Sequence, residues 1–479
     1  MPKEGSTSLP TASPELLVPR WDGGRRRARL ESRLRDSIRA GRLRPGTRLP
    51  SSRALASELG VSRRLVVEVY EQLAAEGYLL ARRGSGTRVS PAARRGSASE
   101  PVEPVPPPVA GIDLFAGAPD LSLFPRRAWG RALRRALAEL PDKRLSYGEL
   151  AGTTELRIAL AEHLGRVRAA DADPNRIVVT AGYQQGLRIF CQLVRARGGR
   201  RVAVEDPGYP VAGWTIEAEG LEVLPISIDD AGIDVRALAA SAADAVVVTP
   251  AHSLPLGGQN GAERRRQLVE WARERGALVL EDDYDAELRY DRGPAGSLQG
   301  LAPDVVVLAG SASKTLAPAL RLGWLCLPPE HVAIAITARA GADGGGPRVE
   351  EWALAELISS GAFDRHLRAA RQRYREKRQV LLEALEAALP ATRVRGIAAG
   401  LHLVLELPPG ADEDAVVAGS AAAGVHVNGL GVFTRKQRQP PGLVLGYGLP
   451  SEGELRRAVA AIAATLGADG ASRRRTGRR

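Results

Sequence analysis

The chain has 479 residues, of which 44% are hydrophobic, and a formal net charge of +12. This length is enough for more than one buried core, so we predict at least two domains. Cys191 and Cys326 form no CxxC and the six histidines form no HxxxH pair, which argues against a disulfide framework and against a metal site. No apolar run approaches the roughly 20 residues of a membrane helix and no signal-peptide pattern is present, so we expect a cytoplasmic protein without a membrane partner.

The positive charge is concentrated at the two ends of the chain. Residues 20–95 contain nineteen arginines, no lysine and seven acidic residues, a net charge equal to that of the whole chain. The last nine residues, "ASRRRTGRR", add five arginines, for which a solvated tail is the simpler interpretation. A local excess of this size indicates a surface that faces a polyanion, so residues 20–95 are the candidate nucleic-acid-binding part.

The basic segment carries helix signals in a regular order. "RRRARLESRLRDSIRAG" repeats apolar residues every four positions and stops at Gly41, which predicts an amphipathic helix. A short helix follows a serine cap at Ser51 or Ser52 and ends at Gly60, and a third helix begins after the N-cap Ser62. Two helices joined by a tight turn predict a helix-turn-helix.

In that geometry the start of the second helix faces the major groove, which places Ser62, Arg63 and Arg64 where base edges and phosphates are found. The following "YLLARRGSGTRVS" has two short β-like runs around Gly84 and Gly86, which predict a basic wing that reaches the minor groove. The alternative is an arginine-rich helical bundle that binds no DNA, and the density of motifs argues against it.

The stretch "LRPGTRLPSSRALASELGVSRRLVVEVYEQLAAEGYLLARRGSGTRV" resembles the winged helix-turn-helix of GntR-type bacterial transcription regulators. The resemblance implies a double-stranded DNA operator as partner and DNA contacts by Arg53, Ser62, Arg63, Arg83, Gly84 and Gly86, with Arg64 as a further candidate. Arg64 and Leu65 differ from the polar-then-small pair often found in the family, so no operator sequence is implied.

Composition divides the rest of the chain. Residues 91–110 are rich in proline, alanine and serine without periodicity, which predicts an extended linker of ~3.1 Å per residue. We therefore predict a flexible N-terminus at 1–19, a winged helix-turn-helix at 20–90, the linker at 91–110, an effector domain at 111–468 and a basic tail at 469–479.

The large domain alternates helical patterns with short β-branched runs: "RIVVTAG", "RRVAVEDPG", "DAVVVTP", "ALVLEDDYD", "DVVVLAGS" and "LGWLCLP". Runs that are apolar on both faces and separated by crossover-length segments predict an α/β fold with a mostly parallel sheet covered by helices. Ligands of such folds bind outside the carboxyl ends of the strands, and the polar residues of interest follow the strands there.

These residues include candidates for everything that a cofactor with an aldehyde, a phosphate and a ring nitrogen requires. Lys314 is the amine for a Schiff base. Asp282 is the acid for the ring nitrogen, Tyr284 the partner of the ring hydroxyl and Tyr209 the aromatic face. The candidate phosphate donors are side chains and free helix N–H groups, from Gly182, Tyr183, Gln184, Ser311, Ser313 and Arg321.

In this order, "TAGYQQGL", "EDPGYP", "TPAHSLPLGG", "EDDYDAELRY" and "GSASKTLAPALRLG" resemble fold-type I aminotransferases, which bind pyridoxal 5′-phosphate (PLP), and more closely the MocR/GabR subfamily of GntR regulators. The match covers about Ile112 to Leu466. It implies PLP as cofactor, a smaller C-terminal α+β part, and a regulator that senses an amine, an amino acid or PLP itself.

Two departures bear on whether the chain is also an enzyme. Ordinary aminotransferases carry an asparagine that bonds the ring hydroxyl, where "LPLG" puts Leu254, and an arginine that clamps the substrate carboxylate, where "GLVLGYG" puts Val444. Carboxylate binding then requires Arg435 or another arginine. A PLP-dependent aminotransferase with a DNA-binding appendage is therefore the alternative to a regulator with vestigial or no activity.

The resemblance also implies a homodimer, head-to-tail, in which one chain completes the cofactor site of the other. "RLSYGELAGTTELR" resembles the segment that reaches the partner's cofactor phosphate, and Tyr147 would be its donor. Glu149 and Leu150 replace the usual Asp-Pro, and a plain loop tyrosine is the alternative interpretation.

Overall fold

The computed structural model describes residues 26–82, 86–92, 111–291, 296–437 and 439–476. The chain divides into two compact units, one within residues 1–107 and one within residues 108–479. In the described ranges, no helix is both long and apolar enough to cross a membrane. The predicted contacts of Arg83 and Gly84 lie outside the described residues.

The N-terminal unit contains three helices and a hairpin: α1 (Arg26–Arg39), α2 (Ser52–Leu59), α3 (Arg63–Ala75), β1 (Leu79–Arg82) and β2 (Gly86–Val89). The Ser51 hydroxyl accepts the backbone N–H of Ala54 at the start of α2, and that helix ends on Gly60 in the left-handed region. The Ser62 hydroxyl caps α3 in the same way. The apolar faces of the three helices meet in one core, built from Leu30, Leu34, Leu55, Val66, Val69 and Leu73.

The second unit is built around an eight-stranded sheet in the order β4-β11-β10-β9-β8-β5-β6-β7. Strands β10, β9, β8, β5 and β6 are parallel to one another. Strand β11 pairs antiparallel with β10 and β4, and β7 pairs antiparallel with β6. The mostly parallel sheet predicted from the apolar runs is confirmed. The strands are β4 (Ile177–Thr180), β5 (Arg201–Asp206), β6 (Glu222–Asp229), β7 (Gly232–Ile233), β8 (Ala245–Val248), β9 (Leu278–Asp283), β10 (Val306–Ser311) and β11 (Gly323–Cys326).

A smaller four-stranded sheet, ordered β12-β13-β16-β15, lies in the C-terminal part, and a separate pair joins β3 to β14. Its core is continuous with that of the large sheet, because Val404 and Val444 belong to the same apolar cluster as β8 and β9 residues. These strands are β3 (Ile112–Asp113), β12 (Arg393–Arg395), β13 (His402–Glu406), β14 (Val425–His426), β15 (Asn428–Gly429) and β16 (Gly442–Gly446).

Helices cover the sheets and connect the strands. The last helix continues to Thr476, into the segment predicted as a basic tail. The helices of this unit are α4 (Arg126–Glu139), α5 (Thr154–Arg168), α6 (Tyr183–Ala196), α7 (Pro210–Ala218), α8 (Val235–Ala240), α9 (Ala262–Arg275), α10 (Ala312–Thr315), α11 (Val332–Asp343), α12 (Arg348–Ser359), α13 (Ala362–Ala388), α14 (Glu413–Ala422) and α15 (Glu452–Thr476).

Candidate cofactor and DNA-binding sites

The candidate cofactor site lies at the carboxyl edge of the large sheet. Gly182 follows β4, Tyr209 follows β5, Asp282 is the penultimate residue of β9, and Lys314 follows β10 in the one-turn helix α10. In the parallel β9–β10 pair, Asp282 is in register with Ala309. Residues far apart in sequence therefore meet where parallel strands end, as the fold rule predicts.

Lys314 is anchored beside two serines. The Ser311 hydroxyl donates to Ser313 Oγ at 2.9 Å and accepts the Ser313 backbone N–H at 3.2 Å, which orders the turn that presents the lysine. Burial lowers the pKa of the Lys314 ammonium, although the nearby carboxylates of Asp285 and Asp282 oppose this shift. A lowered pKa favours the neutral amine, the form that attacks an aldehyde.

The start of α6 and Arg321 form a cradle suited to an anion. Gly182 has φ +86° and caps α6 without a side-chain hydrogen bond, so the first N–H groups of the helix have no side-chain cap. A Cβ built on Gly182 would lie 3.5 Å from Arg321 Nη1, so the guanidinium sits directly beside this turn. Arg321 itself has φ +52°, a left-handed conformation unusual for a residue with a side chain.

Asp282 is a buried carboxyl group next to other acids. Burial is the main cause that raises its pKa to about 8, and the charges of Asp283, Asp285 and Glu205 act in the same direction. The Tyr183 hydroxyl lies near enough to Asp282 to lower the pKa of the carboxyl group. This buried hydroxyl nevertheless makes no hydrogen bond of standard geometry among the described residues. A cationic ring N–H would supply the missing partner for this carboxylate.

Aromatic side chains line the same space. Tyr209 is 37% exposed as a residue, and its ring centroid lies 6.4 Å from that of Tyr183 with the planes at 57°. Gln184 Oε1 accepts the Thr215 hydroxyl at 2.8 Å, which fixes its side chain at the start of α6.

The individual roles of these residues stay predictions, but the structure brings together ten of the residues that the sequence predicted for one site. They are Gly182, Tyr183, Gln184, Tyr209, Asp282, Tyr284, Ser311, Ser313, Lys314 and Arg321. Tyr147 is not among them in its own chain. It lies on the loop before α5, and 91% of its surface is exposed.

Sequence reasoning missed a buried cluster at the same edge. His252 Nδ1 lies 2.8 Å from Asp285 Oδ2 and 3.1 Å from the Tyr284 hydroxyl, and the His402 ring centroid is 5.0 Å from that of His252. His252 stands inside the quoted motif "TPAHSLPLGG". His402 is on β13, so nothing in the local sequence connects it with the others.

These residues fit PLP. A Cβ on Gly117 would lie only 3.3 Å from Lys314 Nζ, so space around the amine is kept clear. Among the described residues, no basic side chain forms an ion-pair contact with the Asp282 carboxylate, which leaves it able to take a cationic partner. When bound, PLP supplies an aldehyde that joins to an amine and a ring that withdraws electrons. Lys314 would hold the aldehyde carbon, Asp282 the ring nitrogen, and the cradle around Gly182 and Arg321 the phosphate.

The candidate DNA-binding face lies on the N-terminal unit. Arg53, Ser62, Arg63, Arg64 and Gly86 are all exposed. Arg63 Nε approaches the Ser52 hydroxyl at 3.5 Å, while Arg64 pairs with Glu68 at 3.0 Å one turn along α3. The guanidinium of Arg64 is thus held by a neighbouring carboxylate, whereas that of Arg63 lies at the α2–α3 turn.

Comparisons with known proteins agree with this division. The family model "Bacterial regulatory proteins, gntR family" matches residues 26–89, and "Aminotransferase class I and II" matches residues 110–441. The HTH-type pyridoxine biosynthesis transcriptional regulator PdxR of Corynebacterium glutamicum is 36% identical over 90% of this chain and 94% of its own. The probable rhizopine catabolism regulatory protein MocR of Rhizobium meliloti is 30% identical over 87% and 89%.

Solved structures of aminotransferases share the fold of the second unit. The α-aminoadipate aminotransferase of Thermus thermophilus, solved with N-(5′-phosphopyridoxyl)-L-leucine, superposes with a TM-score of 0.69 at 26% identity. The match covers 75% of this chain and 93% of the enzyme. The chain therefore belongs to the MocR-type GntR-family transcription regulators, with a DNA-binding winged helix-turn-helix and an aminotransferase-like domain that binds PLP.

Proposed function

We propose that the protein is a cytoplasmic regulator of vitamin B6 supply, and that PLP is its effector as well as its cofactor. The observation that supports this proposal most directly is the position of Val444. It is fully buried in β16, paired with Val404 of β13 and Asn428 of β15, at the place where the aminotransferase resemblance expects an arginine for a substrate carboxylate. An apolar side chain there gives an amino-acid effector no clamp.

Arg435 does not replace that clamp. Its guanidinium pairs with Glu217 of α7 at 2.7 Å, and its backbone N–H donates to Asp206 Oδ1 at 2.8 Å. A carboxylate ligand would have to displace Glu217 to reach it. The pocket thus keeps groups for PLP and has no free guanidinium at either of the two predicted positions, which favours PLP over an amino acid as effector.

The similarity to PdxR, a regulator named for pyridoxine biosynthesis, supports the same target class. Footprinting on the DNA upstream of the chain's own gene and of PLP-synthesis genes, with and without PLP, tests the proposal. We expect protection to depend on PLP and to be unaffected by common amino acids. If amino acids change the footprint, or are transaminated at enzyme-like rates, the effector is an amino acid or the chain is an aminotransferase.

The assembly that we propose is a head-to-tail homodimer in which Tyr147 reaches the partner's cofactor phosphate. Two buried side chains hydrogen-bond to the backbone that follows Tyr147. Arg339 Nη1 donates to the Leu150 carbonyl at 2.9 Å, and Glu351 accepts the Thr153 N–H at 2.7 Å. The buried Arg339–Glu351 pair thus fixes the loop while Tyr147 projects outward. A fixed, exposed tyrosine is suited to a site on another chain.

Subunit mixing tests this assembly. Lys314→Ala cannot anchor PLP, and Tyr147→Phe should bind PLP more weakly. In a heterodimer of the two, one site combines Lys314 of one chain with Tyr147 of the other and is intact. We expect the mixture to recover up to half of the wild-type sites at low PLP concentration. No recovery, with dimers present by sedimentation, would contradict the shared site.

A further inference from the structure

The Tyr284 hydroxyl contacts a buried histidine, His252. His252 Nδ1 lies 3.1 Å from this hydroxyl and 2.8 Å from Asp285 Oδ2, and the His252 and Tyr284 rings are nearly parallel, with an angle of 26° between them. His252 and Asp285 are both fully buried. The three side chains therefore form one connected polar group under the site.

Donor and acceptor chemistry decides which atom carries the hydrogen. An ionised carboxylate can only accept, so the short contact with Asp285 places the hydrogen on His252 Nδ1. That nitrogen then cannot accept a hydrogen bond from Tyr284. The contact with His252 therefore does not use the Tyr284 proton. Asp285 is the other acceptor that acts on this hydroxyl, so a ring oxygen would compete with Asp285 for the proton.

The position of His252 in the chain explains why such support is needed. Leu254, two residues later in the same loop, stands where the aminotransferases have an asparagine for the ring hydroxyl of PLP. Leu254 packs against the apolar cluster of β8 and β9 and offers no donor. With the asparagine absent, the hydrogen bond to the ring hydroxyl depends on Tyr284.

We propose that His252 is a positioning residue for the cofactor: together with Asp285 it orients the Tyr284 hydroxyl so that its proton is donated to the ring hydroxyl of PLP. This rests on the predicted role of Tyr284 within the proposed PLP site. It does not depend on whether PLP is the effector, because it concerns the bound cofactor and not the DNA response.

Other ionisable groups face the same space and enter any pH experiment. Burial lowers the pKa of His402 to about 3, so its ring stays neutral, and its Nε2 donates to the Pro255 carbonyl at 3.1 Å. Burial raises the pKa of Glu205 to about 7. The groups whose charges act on this cluster are Asp282, Asp285, Glu205, Lys314 and His402.

A pH titration of the visible absorbance of the full PLP-loaded chain tests the proposal. A hydrogen bond donated to the ring oxygen stabilises its anionic form, so the proton shared with the Lys314 nitrogen is bound less tightly. His252→Ala should therefore raise the apparent pKa of the absorbance change, by up to about one unit. It should also weaken PLP binding several-fold.

Three further variants make the test specific. Tyr284→Phe should shift the titration at least as far, and adding His252→Ala to it should have little further effect, because both act on one hydrogen bond. Leu254→Asn in the His252→Ala background should move the apparent pKa back toward wild type. His331→Ala is the matched control: His331 is a buried histidine near Arg197, outside the site, and its loss should leave the titration unchanged.

An unshifted titration in folded His252→Ala, with a shift in Tyr284→Phe, would overturn the role of His252. No shift in Tyr284→Phe would overturn the role of Tyr284 itself. If His252→Ala does not fold by circular dichroism, His252→Gln replaces it. Gln keeps an N–H within reach of Asp285, and we expect a smaller upward shift from it; no shift would again contradict the proposal.

Discussion

The two units of this protein present their functional residues in opposite ways. In the N-terminal unit, the described candidate DNA contacts lie on α2, α3 and β2, between Arg53 and Gly86. They are exposed and take no part in the core of Leu34, Leu55 and Val66. In the C-terminal unit, the candidate site combines residues between Gly182 and His402, and several of its acids and bases are buried.

This difference has energetic consequences. We expect the removal of an exposed candidate arginine to weaken DNA binding and to leave the fold unchanged. Removing a buried acid or histidine changes the stability of the unit together with its ligand affinity, because buried charges require partners. The experiments below measure whether a substitution in one unit changes only the ligand binding of that unit or also its stability.

The largest effect is expected for Lys314→Ala, which should abolish the covalent attachment of PLP and the visible absorbance that depends on it. Lys314 lies beside Ser313 and the cradle around Gly182, where no other lysine is predicted to serve. Absorbance spectra and mass spectrometry after borohydride reduction measure the loss. Lys143→Ala, which removes an exposed lysine, is the control. A pyridoxyl group still attached to the Lys314→Ala chain would identify a different anchor.

Asp282→Asn should weaken PLP binding about ten- to a hundredfold, because a hydrogen bond to a charged group contributes about 1.5–3 kcal/mol. Equilibrium titration with PLP measures the affinity, and the DNA affinity of the PLP-free chain is expected to stay unchanged. Asp304→Asn, at an exposed carboxylate paired with Arg273, serves as the control. Equal PLP affinities in the two variants would contradict the assignment of Asp282 to the ring nitrogen.

Arg63→Ala should weaken binding to a specific operator about five- to a hundredfold and binding to random DNA much less, if Arg63 reads base edges. Arg64→Ala should have the smaller effect, since Arg64 is paired with Glu68. Binding isotherms at several salt concentrations separate the two roles, because each lost phosphate contact reduces the salt slope by about 0.9. An equal loss on specific and random DNA would mean that Arg63 contacts only phosphate.

The smallest effect is a pH dependence of stability in the PLP-free protein. The folded-state pKa of Asp282, about 8, lies above its ordinary value of 3.8. Its contribution to stability is therefore complete below the ordinary value and is lost as pH rises through about 8. Thermal unfolding should show a melting temperature that falls between pH 6 and pH 8.5, and less steeply in Asp282→Asn. Parallel curves would show that Asp282 does not control this dependence.

The sequence predicted much of the site because the relevant signals are local. Lys314 stands among serines directly after a β-branched run, and Asp282 ends another such run, so strand ends could be located and the fold rule placed them together. Ser51 and Ser62 could be identified as caps from the helical periodicity that follows each. The antiparallel insertion of β11 between β4 and β10 could not be predicted, because its apolar sequence is the same as that of a buried parallel strand.

The sequence by itself determined the two-unit organisation, the helix-turn-helix, the α/β class and the residue types that PLP requires, since each depends on periodicity, capping or a short motif. Only the tertiary structure decided that His252 contacts both Asp285 and the Tyr284 hydroxyl, and that Arg435 is already paired with Glu217. It also decided that Val444 packs inside an apolar cluster. These are contacts between residues about 30 to more than 200 positions apart, and their energies depend on burial and direction. Neither quantity is encoded in a local pattern.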